Sequence, residues 1–316
     1  MLMPPNISRR RFLATTAAAT AAYFVPPKLL AQTGSNFVAT SRAANANNKI
    51  TTTPLRRNIT VLGGAGGNIA VLSAKDGKLI VDSGYSSCRL QLAAALAAIN
   101  ADPISVLINT HWHLDHTDGN DWMHSAGATI WAHENTRYRM STTQHIAAIN
   151  ATIPPAPAGA LPTVLFNSYR TLSDTITTVK LTEYGPAHTD TDISVYFTEA
   201  DVLHTGDTWF NGFYPFIDYS TGGNINGMVL ATERNLAAAG TDTIIIPGHG
   251  PVGNKAQLAE SHEMLLTVRD KVASLKKQGL SLEATQAAKP TASYDAKYGG
   301  GFLAPDLFVM LVYQGV

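Results

Sequence analysis

The sequence is poor in cysteine and in charge, and both shortages exclude classes of protein. Cys88 is the only cysteine among 316 residues, so no disulfide can form within the chain. Charged residues make up 15% of the chain, and the formal net charge is zero. Four of the 23 basic residues lie in residues 1–31, which contain no acidic residue. The rest of the chain has 19 basic and 23 acidic residues, so its net charge is −4. Such a surface gives no electrostatic reason to bind nucleic acid.

The N-terminus also lacks an apolar run long enough to cross a membrane. The stretch from Phe12 to Val25 is shorter than the roughly 20 residues that a transmembrane helix needs. It follows Ser8-Arg9-Arg10-Arg11-Phe12-Leu13, which resembles a twin-arginine export signal. We therefore predict that residues 1–31 are a signal peptide read by the twin-arginine export machinery, with cleavage after Ala31. The mature protein is then periplasmic or secreted, with no stable membrane insertion after cleavage; an uncleaved anchor is the alternative.

The most informative segment is His111-Trp112-His113-Leu114-Asp115-His116. It places three imidazoles and one carboxylate within six residues, directly after the apolar run 105–109, which is typical of a buried strand. Alternation along an extended segment places His111 and His113 on one side, and Asp115 and His116 follow as the backbone turns. This spacing predicts a metal site that can serve two ions.

Three later segments repeat one design, in which an apolar strand, a small or rigid residue and a ligand-type side chain follow each other. They end in His188, Asp207 and His249, after the strand-like runs 178–182, 202–204 and 244–246. Glycine beside a ligand lets the backbone turn sharply and approach a metal closely. These residues complete the set that a metal centre needs.

Together these residues resemble the metallo-β-lactamase-fold superfamily, over roughly residues 55–275. The resemblance implies that His111, His113 and His188 bind one metal ion and that Asp115, His116 and His249 bind a second, with Asp207 between the two. It also implies that Asp82, in Ile80-Val81-Asp82-Ser83-Gly84, orients a ligating histidine from behind. A plain turn residue before glycine is the alternative for Asp82.

The order of elements agrees with this fold. We predict strands at 59–62, 68–72, 79–82, 105–109 and 128–132, with helices at 88–99 and 134–149, then an irregular Pro/Ala-rich loop over 152–162. The second half adds strands near 164–166, 177–183, 192–198, 201–205 and 242–246, and helices at 224–239 and 255–277. Two strand-rich halves with helices predict an α/β fold, an αββα sandwich of two mixed sheets flanked by helices. Residues 55–316 form this domain, and residues 32–54 are interpreted as a flexible lead-in.

The function expected from the resemblance is an exported binuclear zinc-dependent hydrolase. Two Zn²⁺ ions suit the imidazole and carboxylate ligands, with iron or manganese as alternatives. A metal-bound hydroxide would cleave a small cyclic amide, ester or thioester, and Asp115 would orient it and pass a proton to the leaving group. Tyr214, in the aromatic segment 209–219, is the predicted contact with this small-molecule substrate. Asp207, with no cysteine in its place, counts against a dedicated β-lactamase.

Other residues have weaker assignments. Cys88 and His204 are expected to pack in the interior, His204 either in the core or behind a ligand. His133 is expected to be a structural hydrogen bonder, whereas Trp112 could point into the cleft or the core. His124, His145 and His262 are assigned to surface or packing positions on helices.

Two other functional classes remain open. One is a mononuclear iron oxygenase that uses His111, His188 and Asp207. The other is a non-catalytic module that binds a metal or a partner on the same scaffold; the complete set of seven ligand-type residues argues against it.

Overall fold

Two facing β-sheets form the centre of the protein in a computed structural model that describes residues 37–173 and 177–316. The predicted signal peptide, residues 1–31, lies outside the described residues. The helices are α1 (Phe37–Asn45), α2 (Arg89–Ile99), α3 (Leu114–Thr117), α4 (Asn120–Ser125), α5 (Glu134–Ser141), α6 (Ile225–Ala238), α7 (Lys255–Lys277), α8 (Leu282–Ala287), α9 (Asp295–Tyr298) and α10 (Pro305–Gln314).

The first sheet has seven strands in the order β1-β2-β3-β4-β5-β6-β9. Strands β1 to β4 are antiparallel neighbours, whereas β4, β5, β6 and β9 run parallel. The parallel part needs crossover connections, and α2 supplies the one between β4 and β5. The strands are β1 (Thr51–Pro54), β2 (Ile59–Gly63), β3 (Ile69–Ala74), β4 (Gly77–Val81), β5 (Ile104–Ile108), β6 (Thr129–His133) and β9 (Val164–Phe166).

The second sheet has six strands in the order β10-β11-β12-β13-β14-β15, and a separate hairpin joins β7 to β8. In the six-stranded sheet only β13 and β14 pair in parallel. The strands are β7 (Gln144–Ile146), β8 (Ala151–Ile153), β10 (Tyr169–Ser173), β11 (Thr178–Glu183), β12 (Ile193–Phe197), β13 (Val202–His204), β14 (Ile244–Ile246) and β15 (Gly253–Asn254).

Side chains alternate between the two faces of each strand, so each sheet has one face toward the other sheet and one face toward helices. Val61 and Ile108 of the first sheet share one buried cluster with Val195 and Phe197 of the second, so the two sheets pack face to face. Helices α2 and α4 cover the outer face of the first sheet, and α6 and α7 cover that of the second. The predicted αββα sandwich is therefore confirmed.

Two predicted segments need correction. The lead-in 32–54 was interpreted as flexible, but its described part contains α1 and β1. Arg42 of α1 binds Asp118 through both Nε, at 2.9 Å, and Nη2, at 2.5 Å. This bidentate pair explains why α1 is held against the domain.

The helix predicted over 134–149 is also wrong beyond Ser141. The Gln144 amide group donates to the carbonyl of Arg139, an acceptor that a continuing helix would use, and also to the hydroxyl of Thr142. The chain then forms the β7–β8 hairpin, so His145 lies on a strand rather than a helix. The loop predicted over 152–162 accordingly begins within β8.

Among the described residues, no helix is both long and apolar enough to cross a bilayer.

Candidate metal centre

Every ligand-type residue follows the end of a strand, at the same edge of the sandwich. His111 follows β5, Asp207 follows β13 and His249 follows β14, while His188 lies in the turn between β11 and β12. That turn is closed by Asp192, whose carboxylate accepts the backbone N–H groups of His188 at 2.6 Å and of Thr189 at 3.0 Å. Strand ends rigidly placed by two sheets thus bring distant residues together.

The seven predicted residues meet as two adjoining clusters. One consists of His111, His113, His188 and Asp207, and the other of Asp115, His116 and His249; within each cluster the potential ligand atoms lie within 4.8 Å of one another. Asp207 reaches both, because its Oδ2 lies 3.4 Å from His188 Nε2 and its Oδ1 lies 3.2 Å from His116 Nε2. The structure therefore places Asp207 between the clusters.

The outer ring nitrogens of the histidines are held by hydrogen bonds that aim the inner nitrogens at the centre. His188 Nδ1 donates to the carbonyl of Phe216 at 2.7 Å. His113 Nε2 faces Asp218 Oδ2 at 3.1 Å. A nitrogen that donates outward leaves the other ring nitrogen unprotonated, with its lone pair free to bind a metal. His188 Nε2 and His113 Nδ1 then face each other at 2.8 Å.

Asp82 performs the same task for the second cluster. Its Oδ2 lies 2.8 Å from His116 Nδ1, and the same carboxylate accepts the backbone N–H and the hydroxyl of Thr110. Thr110 Oγ1 in turn lies 3.1 Å from His111 Nδ1. Asp82 adopts a positive φ of 65°, a conformation that aspartate tolerates better than most residues. The structure places Asp82 behind His116.

Two buried polar atoms show that the donor set fits metal ions. His111 Nε2 and Asp207 Oδ1 are fully buried and make no hydrogen bond. A buried polar atom without a partner is costly, and both atoms point into clusters of further ligand atoms. Imidazole nitrogens and carboxylate oxygens are the ligands that zinc takes in catalytic sites. The residues present thus fit two zinc ions.

The charges in the two clusters differ. Burial lowers the pKa of His188 to about 4 and that of His111 well below its ordinary value, so both rings are neutral at pH 7. Burial also opposes protonation of His249, but the carboxylates of Asp207 and Asp115 outweigh it and raise the pKa to about 9. Without a metal, protons on the second cluster therefore balance the carboxylates of Asp115 and Asp207, and a cation would replace those protons.

The centre opens into a cleft of about 920 Å³, including its mouth. Its walls are mostly aromatic and aliphatic. The Phe210 ring stacks on His249 with centroids 5.1 Å apart, which fixes the orientation of that ligand. The lining apolar side chains are Phe37, Leu114, Ile146, Ile149, Ile153, Phe210, Phe213, Phe216 and Phe302.

The remaining predicted residues have varied positions. Tyr214 contributes to the cleft wall, but it is 1% exposed and its hydroxyl donates to Asp295 Oδ1 at 2.8 Å. Its contact with substrate stays a prediction, restricted to the ring. Trp112 points into the interior, where its indole N–H donates to Thr221 Oγ1. His204 is buried, with Nε2 3.0 Å from the carbonyl of Asn68.

His133 and Cys88 lie where the sequence suggested. His133 faces the carbonyl of Asn167 and caps α5, and Cys88 is fully buried.

Sequence reasoning missed Asp218, Asp192 and Thr110. Asp192 follows His188 within a Thr/Asp-rich turn, and that composition was a usable signal for a side chain that closes the turn. Asp218 is 105 positions from His113, and nothing local connects the two. Such a partner is visible only in the folded chain.

Comparison with known proteins agrees with this geometry. The sequence model of the family described as "Metallo-beta-lactamase superfamily" matches residues 62–249, more than half of the chain. Hydroxyacylglutathione hydrolase of Polaromonas sp. (strain JS666) is 29% identical over 175 residues, which are 54% of this chain and 57% of that protein. Atrochrysone carboxyl ACP thioesterase of Aspergillus fumigatus is 42% identical over 71 residues, 20% of this chain and 22% of that one. The chain thus matches little more than half the length of one relative and less of the other.

Solved structures show the same fold. The stereoselective inverting sec-alkylsulfatase Pisa1 from Pseudomonas sp. has a TM-score of 0.61 at 14% identity, over 91% of this chain and 54% of that one. A metallo-beta-lactamase from Pontibacter korlensis has a TM-score of 0.54 at 19% identity, over 69% of this chain and 99% of that one. At these identities the likeness concerns the fold alone.

Proposed function

Because this chain belongs to the metallo-β-lactamase superfamily, we propose that it is an exported, binuclear, zinc-dependent hydrolase that transfers an acyl group from an ester, a thioester or a cyclic amide to water. The observation that carries the proposal is the convergence of seven ligand-type side chains around the buried atoms His111 Nε2 and Asp207 Oδ1, neither of which makes a hydrogen bond. Export is inferred from residues 8–13 alone.

The reaction adds the oxygen of water to the acyl carbon and breaks the bond to the leaving oxygen, sulfur or nitrogen, which takes a proton. When bound, two zinc ions would supply Lewis acidity and lower the pKa of a coordinated water to about 7. His111, His113 and His188 would hold one ion, and Asp115, His116 and His249 would hold the other, with Asp207 shared between them.

The carboxylates have different tasks in this proposal. The side chain of Asp115 is 24% exposed, against 4% for Asp207, and both Asp115 and Asp207 line the cleft. Asp115 is therefore the carboxylate that can meet water and substrate, orient the attacking water and move a proton to the leaving group. Asp207, enclosed between the clusters, serves as a shared ligand.

Among acyl bonds, the names of the relatives favour esters and thioesters. Both curated relatives are named as enzymes of this type, a hydroxyacylglutathione hydrolase and an acyl-carrier-protein thioesterase. A cyclic amide remains within the proposal, since one structural neighbour is named a metallo-beta-lactamase.

The test measures metal content and hydrolysis together. The zinc-loaded chain is assayed with p-nitrophenyl acetate, an S-acyl thioester, a chromogenic cephalosporin and a secondary alkyl sulfate. Asp207→Ala should abolish turnover, whereas Asp270→Ala, at a largely exposed carboxylate on α7, should leave it unchanged. Two zinc ions per chain, and turnover lost with chelator and with Asp207→Ala, are expected for an acyl substrate.

Three outcomes would contradict the proposal. Turnover that survives in Asp207→Ala would show that the metal centre is not the catalyst. Oxygen consumption by the iron-loaded chain, without hydrolysis, would point to the oxygenase. Two bound ions with no turnover of any substrate class would favour the non-catalytic module.

A further inference from the structure

The chemical character of the cleft wall suggests which substrates the centre takes. The wall is assembled from separate parts of the chain: Phe37 of α1, Ile146 and Ile153 of the β7–β8 hairpin, the segment 210–216, and Phe302 near the C-terminus. All of these contribute hydrocarbon surface. Parts so distant in sequence give one continuous apolar wall beside the metal ligands.

Within residues 37–173 and 177–316, no lysine or arginine lines this cleft. Its charged or chargeable lining groups are the metal-ligand residues themselves. The neutral polar groups on the wall are Ser41, Tyr85 and Tyr214, and the Tyr214 hydroxyl already donates to Asp295. In this part of the chain, no side chain on the wall beyond the metal centre therefore offers a positive charge to an anionic group of a substrate.

We propose that the cleft takes an uncharged, apolar acyl group, of the kind found in medium-chain fatty acyl esters and thioesters, and rejects substrates whose acyl group carries a carboxylate. The inference rests on the proposed hydrolase function and specifies its substrate class. Moving an ionised carboxylate from water onto such a wall leaves the charge without a partner, which is strongly unfavourable. Each methylene buried on the same wall is favourable, equivalent to about a fourfold gain in binding.

The experiment compares two matched series of esters on the zinc-loaded full chain. The first is p-nitrophenyl acetate, butyrate, hexanoate and octanoate; the second is the mono-p-nitrophenyl esters of dicarboxylic acids with four, six and eight carbons. We expect kcat/KM to rise about fourfold per methylene in the neutral series until the wall is covered. Each carboxylate-terminated ester should react at least tenfold more slowly than its neutral counterpart.

Two variants introduce a cation, one on the cleft wall and one at a neighbouring position outside it. Ile153→Lys puts an ammonium group on the lining of the cleft, and Thr152→Lys puts the same group on the neighbouring position of β8, outside the lining. Ile153→Lys should lower the rate with the octanoate ester and raise that with the eight-carbon carboxylate ester. Thr152→Lys should retain the wild-type preference. If Ile153→Lys fails to fold by circular dichroism, the two ester series decide the question.

A binding measurement separates the inference from the proposed function. Calorimetry compares octanamide with 8-amino-8-oxooctanoic acid, which has the same length and a terminal carboxylate. Octanamide binding at least tenfold tighter supports the apolar cleft even if no ester is cleaved, an outcome that would refute only the hydrolase. Esters cleaved without a chain-length trend, or a carboxylate series equal to the neutral one, would overturn the inference and leave the hydrolase standing.

Discussion

Gly67→Ala should displace a metal ligand, although the substitution replaces no ligand residue. Gly67 lies against the ring of His116. A Cβ at this position would lie closest to His116 Cε1, with Nε2 at 2.6 Å and Nδ1 at 2.7 Å. The residue is not in the left-handed region of backbone space, so an alanine adds no backbone strain. The perturbation is therefore steric and directed at one imidazole.

The size of the displacement follows from contact distances. Ordinary contacts begin near 3.4 Å, so Nε2 must recede by roughly 0.8 Å, and Cε1, which lies nearer to the added Cβ, by more. A zinc–nitrogen bond tolerates deviations of about 0.2 Å around its 2.0–2.1 Å length. His116 also cannot retreat freely, because Asp82 holds its Nδ1 from behind. We expect the second metal to be lost and overpacking to lower the free energy of unfolding by about 1–3 kcal/mol.

Metal analysis of the purified variant tests whether the second metal is lost. Gly67→Ala should bind one zinc ion per chain under conditions in which the unaltered chain binds two. Gly300→Ala is the matched control, since a Cβ there meets no atom within 4 Å and φ is not positive. Two tightly bound ions in Gly67→Ala, or an equal loss in Gly300→Ala, would refute the role assigned to His116.

Three further predictions concern Asp218, the bound metals and Glu199. Asp218→Asn removes the charge that orients His113 and should weaken metal binding about 10–100-fold, measured by competition with a chromophoric chelator; unchanged affinity would show that Asp218 has no such role. Stripping the metals with EDTA should lower the melting temperature in calorimetry, because a ligand present at 100 times its Kd adds about 2.7 kcal/mol per site to the folded state, and an unaltered transition would argue against bound metal. Hydrogen bonds from the backbone N–H of Thr178 and the hydroxyls of Thr198 and Thr177 lower the pKa of Glu199 from 4.5 to about 2. Glu199→Gln should therefore be less stable than wild type above pH 4.5, with a difference that shrinks as the pH falls toward 2; equal differences at pH 6 and pH 3 in urea unfolding would contradict this.

The sequence predicted those parts of the fold that depend on local patterns. The long helix predicted over 255–277 has those bounds in the structure, because apolar spacing is a local signal; the structure adds that Asn254 caps its first turn. The helix predicted over 134–149 failed beyond Ser141, because the amide of Gln144 satisfies backbone groups there and the hairpin packs against other segments. Helix α1 was missed because the contacts that hold it are distant in sequence: Phe37 and Val38 pack against an apolar cluster, and Arg42 pairs with Asp118, 76 positions away.

For the candidate centre, too, some features follow from local sequence and others depend on the fold. By itself the sequence determined which side chains can bind metal, since His111 to His116 are adjacent and the other three follow apolar strands. Only the tertiary structure decided that Asp218 and the carbonyl of Phe216 orient two of these rings, and that α1, a hairpin and Phe302 enclose an apolar cleft. The physical reason is that ligand chemistry belongs to single residues, whereas orientation, burial and the wall of a site depend on contacts between segments that meet only when the two sheets pack.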